Sequence, residues 1–259
     1  MGKFDGILIA TDWDGTFFSG GQLFEKNLEA IKRFQSEGGL FTVCTGRHYS
    51  FVKGFKDSVF PNTYLISNGG CCIVDPTTEE PIYRGFCDEY LFTLLSAVLT
   101  DEAVITNVSV FSDLQTDPFV YSFSEYFDNI EFLSGLNIYK VMIKYKTEDA
   151  ALRGMESAKQ KGLGEYIAAR SWTIGLEFLK KKNAKGAALR RVGERIGARL
   201  IVGVGDYEND IDMIEDADIG YAVENACDAL KAVADRITVN VRDSAIAAVI
   251  EDIEREFCS

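Results

Sequence analysis

The sequence predicts an α/β fold in which a doubly wound, Rossmann-like parallel sheet forms the core and a smaller α/β cap domain is inserted into it. Three observations lead to this prediction. Apolar, strand-like runs alternate with amphipathic, helix-like stretches over nearly the whole chain of 259 residues. The strand-like runs are continuously apolar, as in parallel strands that are covered on both faces. The pattern then changes in the middle of the chain, where we expect a separate unit.

The core elements follow one another in a regular order. Between the first two strand-like runs, apolar residues recur at helical spacing until Gly38 and Gly39 end the helix. Near the end of the chain, Asp243 is expected to cap a last helix whose apolar face begins at Ile246. This alternation is typical of a doubly wound sheet. Four apolar runs that end in small or polar residues are expected to be its buried strands: GILIATD (6–12), GLFTVCTG (39–46), TYLISN (63–68) and RLIVGVGD (199–206).

The middle of the chain has a different pattern. Strand-like runs at 104–111 and 138–145 are accompanied by helical stretches near 88–99 and 147–161. In the second strand-like run apolar and polar side chains alternate, which indicates a sheet with one more exposed face. We therefore expect a catalytic core of residues 1–80 and 174–259, with residues 81–173 as the inserted cap.

The composition excludes several partners and sites. The formal net charge of −13 repels phosphate backbones and anionic membranes, so we expect no nucleic acid and no membrane partner. No run approaches the roughly 18 apolar residues of a membrane span, and no signal peptide is recognisable. Six cysteines without a CxxC pair and a single histidine, His48, favour reduced thiols over disulfides or a Cys/His zinc site. We expect a cytoplasmic protein that is a monomer or a weak homodimer.

Two acidic motifs follow strand-like runs. Asp12 and Asp14 are spaced by two, so in extended backbone both side chains leave the same face, where a hard cation such as Mg²⁺ would relieve their repulsion. The alternative is a strand-end aspartate that caps a turn. Asp206 and Asp210, in GDYEND, would complete the shell of such a cation. A dinucleotide fingerprint is excluded there because the third glycine is missing.

Donors for a phosphate group also follow strand-like runs. Because the carboxyl ends of parallel strands meet at one edge of the sheet, Thr45 and Gly46 would bring a hydroxyl and accessible amides to the acidic motifs. Lys185, at the start of the helix in NAKGAAL, would supply a cation. The alternative for this lysine is a solvated basic run together with residues 180–182.

Taken in order, these segments resemble the motifs of the haloacid dehalogenase-like phosphatases. DWDGT, VCTGR, NAKGAAL and GDYENDIDM match the four motifs of the Cof-like branch, in which a large α/β cap lies between the second and third motifs. SNGG resembles the pair that precedes the cap, and YAVENACDALKAVADRITVN resembles the stretch after the fourth motif. The resemblance covers the core segments, about 1–80 and 174–259.

The resemblance implies roles for the acidic residues. Asp12 would be the nucleophile that forms an aspartyl-phosphate, and Asp14 the general acid/base. Mg²⁺ would be held by Asp12, the backbone carbonyl of Asp14 and Asp206. Asp210 would orient Lys185 or a metal-bound water.

The resemblance also implies a phosphate site. Thr45, the Gly46 amide and Lys185 would bind the transferring phosphoryl oxygens, with Asn209 near the phosphate. Arg47 follows the second motif and is expected to support the site or to touch substrate.

Three features of the sequence depart from the family's pattern. Trp13 and Phe17 stand where aliphatic residues are usual, and both are expected to face the core or the cap. Residues 242–247, Arg-Asp-Ser-Ala-Ile-Ala, stand where the branch often has Glu-Asp-Gly-Val-Ala, and we expect a structural variant there.

The expected activity is Mg²⁺-dependent hydrolysis of a small phosphorylated metabolite, with a sugar phosphate as the expected class. The alternatives are a phosphomutase or phosphotransferase acting on sugar phosphates, and a phosphate-binding regulator without turnover. The presence of both Asp12 and Asp14 speaks against the regulator, because binding alone needs no acid/base residue.

Overall fold

The computed structural model describes residues 2–54 and 61–258, which form two compact units. Residues 1–83 and 185–259 make up the larger unit, and residues 84–184 the smaller one. The strands are β1 Ile7–Thr11, β2 Phe18–Ser19, β3 Gln22–Leu23, β4 Leu40–Val43, β5 Leu65–Ser67, β6 Cys72–Val74, β7 Pro81–Arg84, β8 Ile105–Ser112, β9 Phe119–Tyr121, β10 Ile138–Tyr145, β11 Tyr166–Trp172, β12 Gly175–Lys180, β13 Leu200–Gly205, β14 Ile219–Ala222 and β15 Arg236–Ile237. The helices are α1 Glu25–Ser36, α2 Tyr49–Lys53, α3 Tyr90–Val98, α4 Phe123–Asp128, α5 Ile130–Ser134, α6 Glu148–Lys161, α7 Lys185–Ile196, α8 Ile211–Asp216, α9 Asp228–Val233 and α10 Ala245–Phe257.

A five-stranded parallel sheet forms the centre of the larger unit and confirms the predicted fold class. Its strand order is β15-β14-β13-β1-β4, and every residue of β1 and β13 is buried. Two helix pairs, α1 with α10 and α7 with α8, pack around it. The chain runs from β1 to β4 on one side and later returns to β13 on the other. The strand order therefore reverses between β1 and β13, which is where ligands bind in open parallel sheets.

The run TYLISN forms only part of a parallel strand. β5 joins the edge of the core sheet through a single parallel bridge between Cys44 and Ile66. It otherwise belongs to a three-stranded sheet in which it pairs antiparallel with β6.

An antiparallel sheet with the order β11-β12-β10-β8-β9 forms the smaller unit, and α3 and α6 pack against each other beside it. Val141, Ile143 and Tyr145 are buried among its core residues, as their alternation predicts. The second domain boundary differs from the expected one. β12 pairs with both β10 and β11, so residues 175–180 belong to the smaller unit, which ends at Ala184 instead of residue 173.

The last helix begins differently from the prediction. Ser244, not Asp243, is the N-cap of α10, and its φ of 66° and ψ of 57° lie in the left-handed region that favours glycine. Asp243 ends a short 3₁₀ turn, Val241–Asp243. Ser244 thus stands in place of the glycine of the family's pattern, at a position where the backbone conformation favours glycine.

Glu254 on α10 links the last helix to the N-terminal segment and to α1. It accepts hydrogen bonds from Lys3 and, at 2.6 Å, from Nη2 of Arg33 on α1. These bonds, that from Arg33 first, lower the pKa of Glu254 from 4.5 to about 2.

We expect Glu254→Gln to lower the free energy of unfolding by about 1 kcal/mol at pH 7, less than the pKa alone implies because solvent screens the pair. The pKa of Glu254 is lowered in the folded state, so its contribution is present above about pH 4.5 and is lost as the pH falls toward 2. Urea unfolding at several pH values measures this. Glu251→Gln on the same helix is the control, because Glu251 is half-exposed and its oxygen lies 3.5 Å from Lys26.

None of the helices in the described part of the chain is long and apolar enough to cross a membrane. All six cysteines are free thiols, as expected.

Candidate active site

The loop after β1 carries the first acidic motif. The Asp12 amide donates to the Val204 carbonyl at 2.8 Å, which continues the pairing of β1 with β13 and fixes Asp12 at the point where the strand order reverses. Asp12 is 7% exposed. Trp13 and Phe17 are fully buried in the core of the larger unit, where their ring centroids lie 5.5 Å apart. The two aromatic departures from the family's pattern therefore anchor the loop in the core.

Gly15 allows this loop to approach the end of β13. Its φ is 83°, and a Cβ atom at this position would lie 2.3 Å from Oδ2 of Asp206. The next residue, Thr16, is buried and donates from Oγ1 to Oδ1 of Asp206 at 2.9 Å. A larger residue than glycine at position 15 would push the loop away from Asp206.

Three carboxylates and one ammonium group meet at this edge of the sheet. Oxygens of Asp12, Asp206 and Asp210 all lie within 4.8 Å of one another. Nζ of Lys185, at the start of α7, lies 2.5 Å from Oδ1 of Asp12 and 2.5 Å from Oδ1 of Asp210. Lys185 is 1% exposed, so its two carboxylate partners replace the water that it has lost. The basic-run alternative for Lys185 is therefore wrong.

Asp210 is held on both of its oxygens. While Oδ1 binds Lys185, Oδ2 accepts from the backbone amides of Asp206 at 3.0 Å and Tyr207 at 3.2 Å. The short turn Glu208–Asp210 thus orients a buried carboxylate toward Lys185. Asp210 and Lys185 are thus in direct contact.

Three clustered carboxylates lie beside one ammonium group, that of Lys185, and burial and mutual repulsion shift the pKa values of this cluster. Burial raises the pKa of Asp12 to about 7, with Lys185 opposing the rise and Asp210 adding to it. Burial also raises the pKa of Asp206 to about 8, and the charges of Asp12 and Asp210 add to that rise. Burial lowers the pKa of Lys185, but Asp12 and Asp210 outweigh it, so the pKa lies well above its usual value. Lys185 therefore stays a cation, and the raised pKa values of Asp12 and Asp206 indicate that one ammonium group does not fully compensate the buried carboxylates.

Asp14 points to a different group from Asp12. Its two oxygens accept from Nε and Nη2 of Arg47 at 2.7 and 2.8 Å, and its side chain is 50% exposed. The guanidinium lies 3.9 Å from the ring centre of Phe51. β1 ends at Thr11, so both aspartates lie beyond the strand, where Asp14 binds Arg47 and Asp12 binds Lys185.

The phosphate-site candidates lie in loops at the same edge. Thr45 is buried just after β4, and its Oγ1 accepts from the Arg47 amide at 3.1 Å. Its carbonyl accepts from the Gly69 amide at 2.9 Å, which ties the loop to the SNGG turn. Gly46 follows in this loop, and Asn209 lies half-buried in the turn beside Asp210.

The sequence reasoning missed one residue that supports Lys185. Asp212 accepts from the Gly186 amide through Oδ2 at 2.7 Å, so the start of α7 is bound to α8. A Cβ on Gly186 would lie 2.2 Å from the Asp212 carbonyl oxygen, which explains the glycine after the lysine. The signal was present in the sequence, since Asp212 lies inside the quoted GDYENDIDM motif.

Similar proteins are known for nearly the whole chain. Residues 9–250 match the sequence model of the haloacid dehalogenase-like hydrolase family. A Bacillus subtilis protein named 5-amino-6-(5-phospho-D-ribitylamino)uracil phosphatase YwtE is 28% identical over 95% of this chain and 97% of its own. Phosphatase YwpJ of the same organism is 25% identical over 95% of this chain and 99% of its own. The solved structure of a haloacid dehalogenase-like hydrolase from B. subtilis superposes with a TM-score of 0.77 at 20% identity, covering 96% of this chain and 99% of its own. The chain belongs to the haloacid dehalogenase-like hydrolase family.

Proposed function

We propose that the protein is a Mg²⁺-dependent phosphomonoesterase that hydrolyses a small phosphorylated metabolite through an aspartyl-phosphate on Asp12. The observation that carries the proposal is the buried contact between Asp12 and Lys185 at the reversal point of the strand order. A carboxylate fixed beside a permanent cation is suited to attack a group that is itself anionic. The similarity to relatives named phosphatases supports phosphorus as the centre attacked.

The residues at the site fit a magnesium ion. Three carboxylates share one ammonium group, and the excess negative charge would be relieved by a hard cation with oxygen ligands. Asp12 and Asp206, with the backbone carbonyl of Asp14, would hold it. Asp210 is the poorer ligand because both of its oxygens are already engaged. When bound, the ion would neutralise charge so that an anionic phosphate can approach an anionic nucleophile.

In the first half of the reaction, an oxygen of Asp12 attacks phosphorus while the bond to the leaving oxygen breaks. Lys185 holds Asp12 in place and stabilises the added negative charge, and the leaving oxygen takes a proton from Asp14. In the second half, water attacks the phosphorus of the aspartyl-phosphate. Asp14 takes the proton of that water, and Asp12 is released as a carboxylate together with inorganic phosphate.

The ion pair between Asp14 and Arg47 has to open during the proposed reaction. A carboxylate bound on both oxygens by a guanidinium is not a proton donor, so the pair must open before Asp14 protonates a leaving group. An anionic substrate would compete with Asp14 for Arg47. Thr45, Gly46 and Asn209 are the proposed partners of the phosphate oxygens.

For the substrate, a sugar phosphate or another phosphorylated polyol is the proposed class. The support is the phosphorylated ribityl group in the name of the relative YwtE. We infer that the smaller unit, residues 84–184, is the cap that selects among such compounds.

Phosphate release from para-nitrophenyl phosphate, with Mg²⁺ or with excess EDTA, tests the proposed function. Release that requires the metal supports it, and a panel of sugar phosphates then defines the substrate. Transfer of phosphate to a second hydroxyl of a sugar without free phosphate would identify a mutase instead. If the protein releases phosphate neither from para-nitrophenyl phosphate nor from any sugar phosphate of the panel, the proposal is contradicted.

Binding of Mg²⁺ is expected to raise the melting temperature by about 3–6 °C when its concentration is about ten times its Kd, because a ligand that binds only the folded state stabilises it. Asp206→Asn should lose most of this shift, since it removes a proposed ligand. Asp228→Asn, an exposed aspartate on α9, should keep it. Differential scanning calorimetry with EDTA and with Mg²⁺ makes the measurement, and an equal shift in both variants would contradict the assigned ligand.

A further inference from the structure

Asn225 lies in the stretch after β14 that resembles the family pattern, and the sequence indicated no function for this stretch. In the structure, the Asn225 side chain connects separate segments of the larger unit. Its Nδ2 donates to the Gly15 carbonyl at 2.8 Å. Its Oδ1 accepts from the Val241 amide at 2.9 Å. One side chain therefore joins three segments of the larger unit: the loop after β1, the loop after β14 and the 3₁₀ turn at Val241–Asp243.

The orientation of this amide is fixed by its partners. The backbone amide of Val241 can only donate, so it must face Oδ1 of Asn225, and Nδ2 is then directed to the Gly15 carbonyl. An aspartate at position 225 has the same shape but would place a carboxylate oxygen against that carbonyl. An alanine would leave both partners to water.

The loop that carries Asn225 is bound to the end of β13. The Val223 amide donates to the Gly205 carbonyl at 3.1 Å, and the Cys227 amide donates to the Asp206 carbonyl at 2.9 Å. Asn225 lies between these two anchors. Its side chain is therefore held relative to Asp206, one of the three clustered carboxylates.

Gly15 connects this support to the acidic motif. Its own amide donates to the Phe18 carbonyl at 2.9 Å, and its α-carbon packs against the Asp206 carboxylate. Thr16 on one side binds Asp206, and Asp14 on the other side leads back to Asp12. The hydrogen bond from Asn225 holds the Gly15 carbonyl between these contacts. Gly15 and Asn225 both line an open cleft of about 450 Å³.

We propose that Asn225 is a positioning residue: by holding the Gly15 carbonyl it keeps Asp12 and Asp14 in register with Asp206 and Lys185. This inference rests on the proposed phosphatase activity. A residue in this position touches neither the phosphate nor the reacting oxygens. Its removal therefore lowers the rate of the chemical step and leaves substrate binding nearly unchanged.

Asn62 provides a matched control. It accepts from the Phe41 amide at 2.8 Å and donates to the Gly39 carbonyl at 2.9 Å, so it also bridges a backbone donor and a glycine carbonyl. Like Asn225 it is exposed and belongs to the larger unit. Its bonds lie at the start of β4, away from the carboxyl ends of the strands.

The experiment measures kcat and KM for para-nitrophenyl phosphate with saturating Mg²⁺, together with the melting temperature, for five proteins: wild type, Asn225→Ala, Asn225→Asp, Asn62→Ala and Asn62→Asp. We expect kcat to fall about tenfold in Asn225→Ala and further in Asn225→Asp, with KM within about twofold of wild type. The Asn62 variants should lose a similar amount of melting temperature and keep kcat. All assays are run well below the lowest melting temperature, so that loss of folded protein does not enter kcat.

The inference is overturned if both Asn225 variants keep kcat, if KM rises while kcat is kept, or if the Asn62 variants lose kcat by the same factor. A wild-type protein that releases no phosphate from para-nitrophenyl phosphate or from any sugar phosphate of the panel overturns the proposed function itself, and this inference with it. An active wild type with unaffected Asn225 variants overturns this inference alone.

Discussion

Asp12→Asn is expected to lower kcat for phosphomonoester hydrolysis by about 10⁴-fold or more, because the amide cannot form the covalent intermediate. The substitution keeps the shape of the side chain and removes one of three neighbouring carboxylates that share a single cation. The protein should therefore stay folded, with a melting temperature no lower than that of wild type in EDTA.

Asp218→Asn is the control for this prediction. Asp218 accepts from the Ile201 amide at 2.8 Å and lies before β14, at the edge of the sheet opposite Asp12. It should cost stability and leave kcat unchanged. An Asp12→Asn protein that keeps more than about a tenth of wild-type kcat would contradict the role of Asp12 as nucleophile.

Lys185→Met is expected to have two large effects. It removes the ammonium group that lies 2.5 Å from both Asp12 and Asp210, and leaves these buried carboxylates without their cation. Breaking a buried ion pair in this way costs about 3 kcal/mol of unfolding free energy. The loss of the group that stabilises phosphoryl charge should lower kcat by about 10²-fold or more.

Lys182→Met is the matched control, because Lys182 belongs to the same lysine-rich stretch but is exposed. It should be within about 0.5 kcal/mol of wild type and fully active. Chemical unfolding and steady-state kinetics on the two variants make the comparison. If Lys185→Met were as stable as Lys182→Met, the buried network would not be held together by this lysine.

Local patterns were sufficient to predict the sheet and its acidic edge. Continuous apolar runs identified β1 and β13, and the rule that parallel strands share a carboxyl edge predicted that Asp12 and Asp206 would meet. Lys185 and Asp210 were singled out from their local sequence, and the ordered motifs supported both. The fold class and the family are confirmed.

Features that depend on tertiary contacts could not be predicted from the sequence. The pairing of Asp14 with Arg47 depends on where β1 ends, and spacing alone cannot fix side-chain direction once the chain turns. The limit of the smaller unit depends on the pairing of β12, whose apolar sequence suits either unit. Asn225 lies 210 residues from Gly15 in the chain, so only the folded structure brings this bond to light.

The central claim is that phosphate is transferred to Asp12, and trapping the intermediate tests it most directly. The enzyme is quenched in acid during turnover of a phosphorylated substrate, treated with borohydride and analysed by peptide mass spectrometry. An aspartyl-phosphate is reduced to homoserine, so the account predicts homoserine at position 12 in wild type, dependent on substrate. Active enzyme without homoserine at position 12, or with the modification on another carboxylate, would contradict it.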